Sequence, residues 1–208
     1  MKRTRIIALV VGISVVMSVG LAVGAVDGGN RNIVVVLRGT ADAMVRNVPD
    51  IDGDGQPDPA VCFDVNLVDL ATGNVIGTAT DCLSQVETIN GVLTITDLAF
   101  PPTTPLDPIP IPVVFPSVAT RLINTTFFHF PQGDLVQRGD VTVQQVLFPS
   151  TVATHFTGSI PEANNNILSG TKRFSNATGT VRLAGAVDMS QLGIGKLTLD
   201  CIFVISLD

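Results

Sequence analysis

The chain has 208 residues, 12 basic and 18 acidic, for a net charge of −6, and 46% of it is hydrophobic. That length holds one domain, with or without a leader, and is enough to bury a real core without extra staples. The acidic balance excludes a general affinity for nucleic acid or anionic lipid, because counterion release needs clustered Lys and Arg, and only three lysines occur.

The first 26 residues read as a leader. Lys2, Arg3 and Arg5 form a positive n-region ahead of an apolar run from Ile6 to Val23. Small residues close it, at Ala22–Val23–Gly24 or Val23–Gly24–Ala25. Cleavage and export, to the cell exterior or periplasm, is the expected outcome. The run also approaches the roughly 20 residues of a membrane span, so a retained anchor is the second reading, and membrane contact is expected only then. Removing the leader's three basic residues leaves 9 basic against 18 acidic, a charge of −9.

Residues 27–208 read as a single all-β domain. Tyr and Trp are missing, ten Phe supply all the aromatic surface, and no sustained helical period follows the leader. Short β-branched runs recur between Gly, Asn and Pro at intervals of about 8 to 12 residues. Asn32–Arg38 and Thr40–Arg46 are the first strands, separated by Gly39. An acidic loop follows over residues 50–58, with Asp50, Asp52, Asp54 and Asp58 at relative positions 1, 3, 5 and 9 and Gly55 at position 6. Alternate carboxylates around such a glycine converge on a cation as in the first part of a calcium loop. Position 12 is Val61 rather than Glu, and no helices flank the loop. Structural calcium and a plain polar turn are both open, with calcium favoured by the mutual repulsion of four close carboxylates.

Val61–Val68 and Val75–Leu83 form a hairpin about Thr72. That register sets Cys62 opposite Cys82, Asp64 opposite Thr80 and Asn66 opposite Thr78 on one face, with Phe63, Val65 and Leu67 on the other. It predicts a cross-strand disulfide, which an exported protein permits. Cys201, in phase with Leu199, Phe203 and Ile205, reads as a buried thiol; a catalytic cysteine is the sharper alternative, with no base beside it. Gly91–Ala99 is a further strand. Residues 100–116 carry seven prolines, which block both ladder and helix, so they form an extended surface loop: a rigid cover, or a lid or subunit contact. Val118–Asn124, Thr126–Phe130, Leu135–Gln145, Val152–Thr157 and Lys196–Leu207 complete the strands, with two more at Ile167–Phe174 and Thr180–Val187. About ten strands allow either a barrel of roughly eight or a two-sheet sandwich.

The run Ile167–Leu168–Ser169–Gly170–Thr171–Lys172–Arg173–Phe174, followed by Ala177–Thr178–Gly179–Thr180–Val181–Arg182–Leu183, resembles the I-x-G-G-T-G-x-F-x-x-A-x-G signature of allene oxide cyclase and dirigent proteins. Phe127–Leu135 is similar to the hairpin that precedes it in bacterial relatives. The match departs at Ser169 and Lys172, where the family usually has glycine. The resemblance implies an eight-stranded antiparallel β-barrel with an apolar cavity, assembly as a homotrimer, and binding of a small hydrophobic molecule. It further implies an isomerisation, cyclisation or coupling guided by conformational control without a required cofactor. The family's functional polar residues have no counterpart here that the signature identifies. A non-catalytic extracellular module, stabilised by calcium and a disulfide, is the alternative.

Two histidines exist, His129 and His155. His129 shares a face with Phe127; if both histidine faces point inward, the three residues meet in the cavity as ligand-binding groups. Two unrelated polar positions is the blander reading, and two histidines alone do not make a zinc site. No Ser elbow, phosphate loop or dinucleotide fingerprint occurs. Arg121, Arg173 and Arg182 are candidate anion anchors, the last two expected on the solvated side. Asn124–Thr125–Thr126 and Asn176–Ala177–Thr178 match the glycosylation acceptor.

Overall fold

The computed structural model describes residues 31–89, 92–98, 121–145, 154–161 and 163–208. The leader, the proline-rich loop 100–116 and part of Val152–Thr157 fall outside them. The strands are β1 (Arg31–Val48), β2 (Asp58–Asp69), β3 (Val75–Ile89), β4 (Val92–Leu98), β5 (Arg121–Phe130), β6 (Gly133–Gln145), β7 (Thr154–Ile160), β8 (Ile167–Gly170), β9 (Gly179–Asp188) and β10 (Lys196–Leu207). All pair antiparallel. Eight of them close a barrel in the order β1–β2–β3–β5–β6–β7–β9–β10 and back to β1. Closure leaves no free edge in the ring. β4 continues β2's side of β3 beyond Leu83, and short β8 continues β7's side of β6.

The hairpin between β2 and β3 has the expected register, with Cys62 opposite Cys82, Asp64 opposite Thr80 and Asn66 opposite Thr78. Cys62 and Cys82 form a disulfide. The turn is built by Asp69, whose side chain accepts from the Thr72 N–H at 2.7 Å and the Thr72 hydroxyl at 2.8 Å, while Gly73 takes φ +72°.

Three expected boundaries shift. The two strands expected on either side of Gly39 are one strand, β1, which runs unbroken against β10. The glycine (φ +146°) instead marks a bulge where the register against β2 shifts between Arg38 and Ala43. Of Val118–Asn124, residues 118–120 lie outside the described residues; the rest merges with Thr126–Phe130 into β5, because the β-branched Thr125 sits in the ladder opposite Cys82 and Arg138. The strand expected through Phe174 stops at Gly170. Lys172–Phe174 is a single 3₁₀ turn that drops Phe174 into the core. Lys172 holds φ +49°, so the position where the resembled signature has glycine takes left-handed backbone, which glycine adopts most easily. A Cβ on Gly170 would overlap the Phe174 carbonyl, so that glycine is a close approach.

Alternation sends every second residue inward. At the end holding the β5–β6 hairpin the interior is filled by Phe128, Phe130, Phe174, Phe203, Leu67 and Leu135. Phe128 meets Phe203 edge to face at 5.1 Å between centroids, and Phe130 meets Phe174 at 5.5 Å. A second small cluster lies outside the wall, where Val48, Ala60, Ile51 and Phe127 pack around the disulfide. Arg138 ties the β1–β2 loop down over the wall by donating to the carbonyls of Asp50 at 2.8 Å and Pro49 at 2.5 Å.

Candidate functional site

Toward the opposite end of the barrel the interior changes character. Asp81 lies on β3 in phase with Ala79 and Leu83, so it points inward, opposite Phe63 of β2 and Thr126 of β5. It is 4% exposed. Asn124, Thr126 and Gln137 are inward and buried beside it. Asn124 Nδ2 and Thr126 Oγ1 each lie 2.7 Å from the same carboxyl oxygen, Asp81 Oδ1. Gln137 Nε2 donates to Asn124 Oδ1 at 2.6 Å, and Asn166 Nδ2 donates to Gln137 Oε1 at 3.2 Å. Asn166 is anchored in turn on the backbone of Val181, accepting from its N–H at 2.7 Å and reaching its carbonyl at 3.0 Å. Donors therefore follow one another from β9 across the interior and end on Asp81. A buried polar chain satisfied at every link is rigid and orients its last member.

Burial raises the pKa of Asp81, opposed in part by the hydrogen bonds from Asn124 and Thr126. Its second oxygen, Oδ2, has no hydrogen-bond partner among the described residues, and Asp81 lines a cavity of about 20 Å³. That space holds about one water. Leu83, Val141, Val143, Leu183, Val187 and Leu199 form most of its wall, with Thr157 and Asn124 as further polar members. Cys201 also lines it. Its thiol pKa is pushed up to about 12 by burial and then by Asp81, so it is an inert apolar wall rather than a nucleophile at neutral pH.

The expected histidine pair is split by the barrel wall. His155 is buried on the inner face, in register with Val187 and Gln145. His129 is exposed on the outer face, its Nδ1 3.0 Å from Asp134 Oδ1. Phe127 also faces outward, over the disulfide. Inward-facing Phe128 and the alternation of β5 put both on the wrong side for the cavity. Arg173 and Arg182 are exposed, as the alternation implied.

In the acidic loop, Asp50, Asp52 and Asp58 each bring one ligand atom within 4.8 Å of the others. Asp54 is outside this group and accepts from the Gln56 N–H at 2.7 Å. Asp50 accepts from the N–H groups of Gly53 at 2.6 Å and Gly55 at 2.8 Å, and Asp58 from that of Ile51 at 2.5 Å. Of the two glycosylation acceptors, Asn124 is buried in the Asp81 network and closed to modification in the folded state, whereas Asn176 is exposed.

Asp81 and Gln137 carry no motif, and the one that Asn124 and Thr126 share, the glycosylation acceptor, says nothing of a binding site. A usable signal existed: the register that pairs Cys62 with Cys82 also sets Asp81 opposite Phe63, a carboxylate in phase with a core face. Compared with protein-family profiles, curated proteins and solved structures, the chain matches none.

Proposed function

We propose that the protein is an exported binding barrel for a small, mostly apolar molecule carrying one hydrogen-bond acceptor, a carbonyl, ether or epoxide oxygen. One observation carries this reading: a buried carboxyl group whose Oδ1 is held by Asn124 and Thr126 while Oδ2 has no partner beside an apolar cavity. Burial favours the protonated acid, and a protonated Oδ2 donates to an acceptor. Because the enclosed space is only about 20 Å³, the ligand seats its polar end at Asp81 and extends toward the barrel end, or displaces the flexible Met189. A fixed donor beside an apolar cavity also suits an isomerisation, cyclisation or coupling guided by shape, without a cofactor. The resemblance to allene oxide cyclase and dirigent proteins points the same way and adds trimeric assembly to the proposal.

The test is a titration with cyclohexanone against cyclohexane, followed by NMR. The ketone is expected to bind about tenfold more tightly, the worth of one good hydrogen bond. Asp81→Asn, whose amide keeps a donor, retains that preference, and Asp81→Leu abolishes it. Equal binding of ketone and hydrocarbon by the native protein would sink the proposal.

A second reading is favoured by the solid packing of the other half of the interior: a non-catalytic extracellular module, stabilised by the disulfide and by calcium at Asp50, Asp52 and Asp58. Calcium then raises the melting temperature, and the double variant Asp50→Ala/Asp52→Ala removes the rise. Identical melting curves in calcium and in chelator would remove the metal from this reading.

A further inference from the structure

Away from the interior, the bulge in β1 opens a groove of about 450 Å³ on the outer wall, within the range of small-molecule sites. Two cross-strand rows line it. Arg38, Asn66, Thr78 and His129 stand side by side across β1, β2, β3 and β5; Asp64 and Thr80 form the second row, reached by the side chain of Arg46 from its place opposite Ala60. The second row is internally fixed. Thr80 donates to Asp64 Oδ1 at 2.6 Å, and Arg46 donates to Asp64 Oδ2 at 2.6 Å and to Thr80 at 3.3 Å. Arg38 is held by Asp200 at 3.0 Å. Gly39, with nothing within 4 Å of the position a Cβ would take, leaves the floor open.

Two features define what fits. Each arginine already faces a carboxylate, and His129 faces Asp134, so the groove offers no surplus charge to an ion. Asn66 and Thr78 stand opposite each other in the lining; their side chains make no hydrogen bond within the described residues and present an amide and a hydroxyl outward. Preset arginine–carboxylate pairs, a free amide and a free hydroxyl together offer alternating donors and acceptors at the spacing of neighbouring strands.

We infer that this groove binds a neutral polyhydroxylated ligand, a mono- or disaccharide, at a site separate from the barrel interior. Without an aromatic platform in the lining, the affinity falls in the millimolar range, about −4 kcal/mol. The test is a set of amide NMR titrations with glucose, mannose, galactose and N-acetylglucosamine, with sodium phosphate and acetate as anion controls. Saturable shifts at Gly39, Thr40, Asn66 and Thr78 are expected with at least one sugar. The affinity should fall at least fivefold in Asn66→Ala/Thr78→Val, a variant that breaks no ion pair, and stay unchanged in Asp81→Leu. No saturable shift with any of the four sugars overturns the inference. Saturation by phosphate or acetate instead also overturns it, since the arginines would then be acting as an anion site.

Discussion

The two halves of the barrel interior contain the same kind of alternating strand but are filled differently. Around Phe128 and Phe203 the inward side chains Phe130, Phe174, Leu67 and Leu135 are apolar and the rings interlock. Two residues along β5 from Phe128, the same inward face carries Thr126 and then Asn124, both bonded to a buried acid, beside a space the size of a water. A core built for stability has no use for a carboxyl group among apolar walls, because its burial costs free energy that the bonds from Asn124 and Thr126 offset only in part. The difference teaches where to look for function: at the half that is worse packed.

The largest effect is expected on the packed side. Phe128→Ala should cost about 3–5 kcal/mol, read as a lower urea midpoint, because a fully buried ring leaves a cavity. Ketone preference at temperatures where the variant is folded should survive. Next is the outer wall. Replacing Cys62 and Cys82 by Ser should cost about 3 kcal/mol, from release of a loop closed over a sequence separation of 20.

The polar side responds in the opposite direction. Asp81 has its pKa raised by burial, so the folded state binds its proton more tightly than the unfolded state. Stability from this group is fully present below the ordinary carboxylate range and is lost as pH rises through the folded value. Asp81→Asn, which keeps the acceptor for Asn124 and Thr126, should therefore raise the melting temperature by several degrees at pH 7 to 8. The gain should shrink toward pH 4. A gain that grows on acidification would show that Asp81 is ionised and satisfied in the native state. Lys172→Gly should stabilise by about 1 kcal/mol, because φ +49° is costly for a side-chain-bearing residue.

The smallest effect belongs to the surface. His129→Ala should change stability by under about 1 kcal/mol, since both partners are half-exposed. The pKa of Asp134 is lowered, first by its bond to His129. That contribution is present above the ordinary carboxylate range and disappears as pH falls through the folded value.

Much of this was legible in the chain. Period-two alternation carried the strands, and the Cys62–Cys82 register followed from one turn. The boundaries at Gly39 and Thr125 were not legible, because a bulge and a chain break look alike when only one strand is in view. His129 was attractive by residue type, but type does not decide which side of a closed wall a residue takes; the neighbouring Phe128 does. Asp81 was hidden by the opposite error. A lone carboxylate in a polar-looking TATDCLS run reads as surface until its partner strand is laid beside it.

On the proposed function, a small molecule sits in the Asp81 half of the barrel. Native against denaturing mass spectrometry on the protein purified from its own host tests it most directly. The expected result is an extra mass that is released on denaturation, extracts into organic solvent and is lost in Asp81→Leu. An extra mass retained in full by a folded Asp81→Leu variant would contradict it.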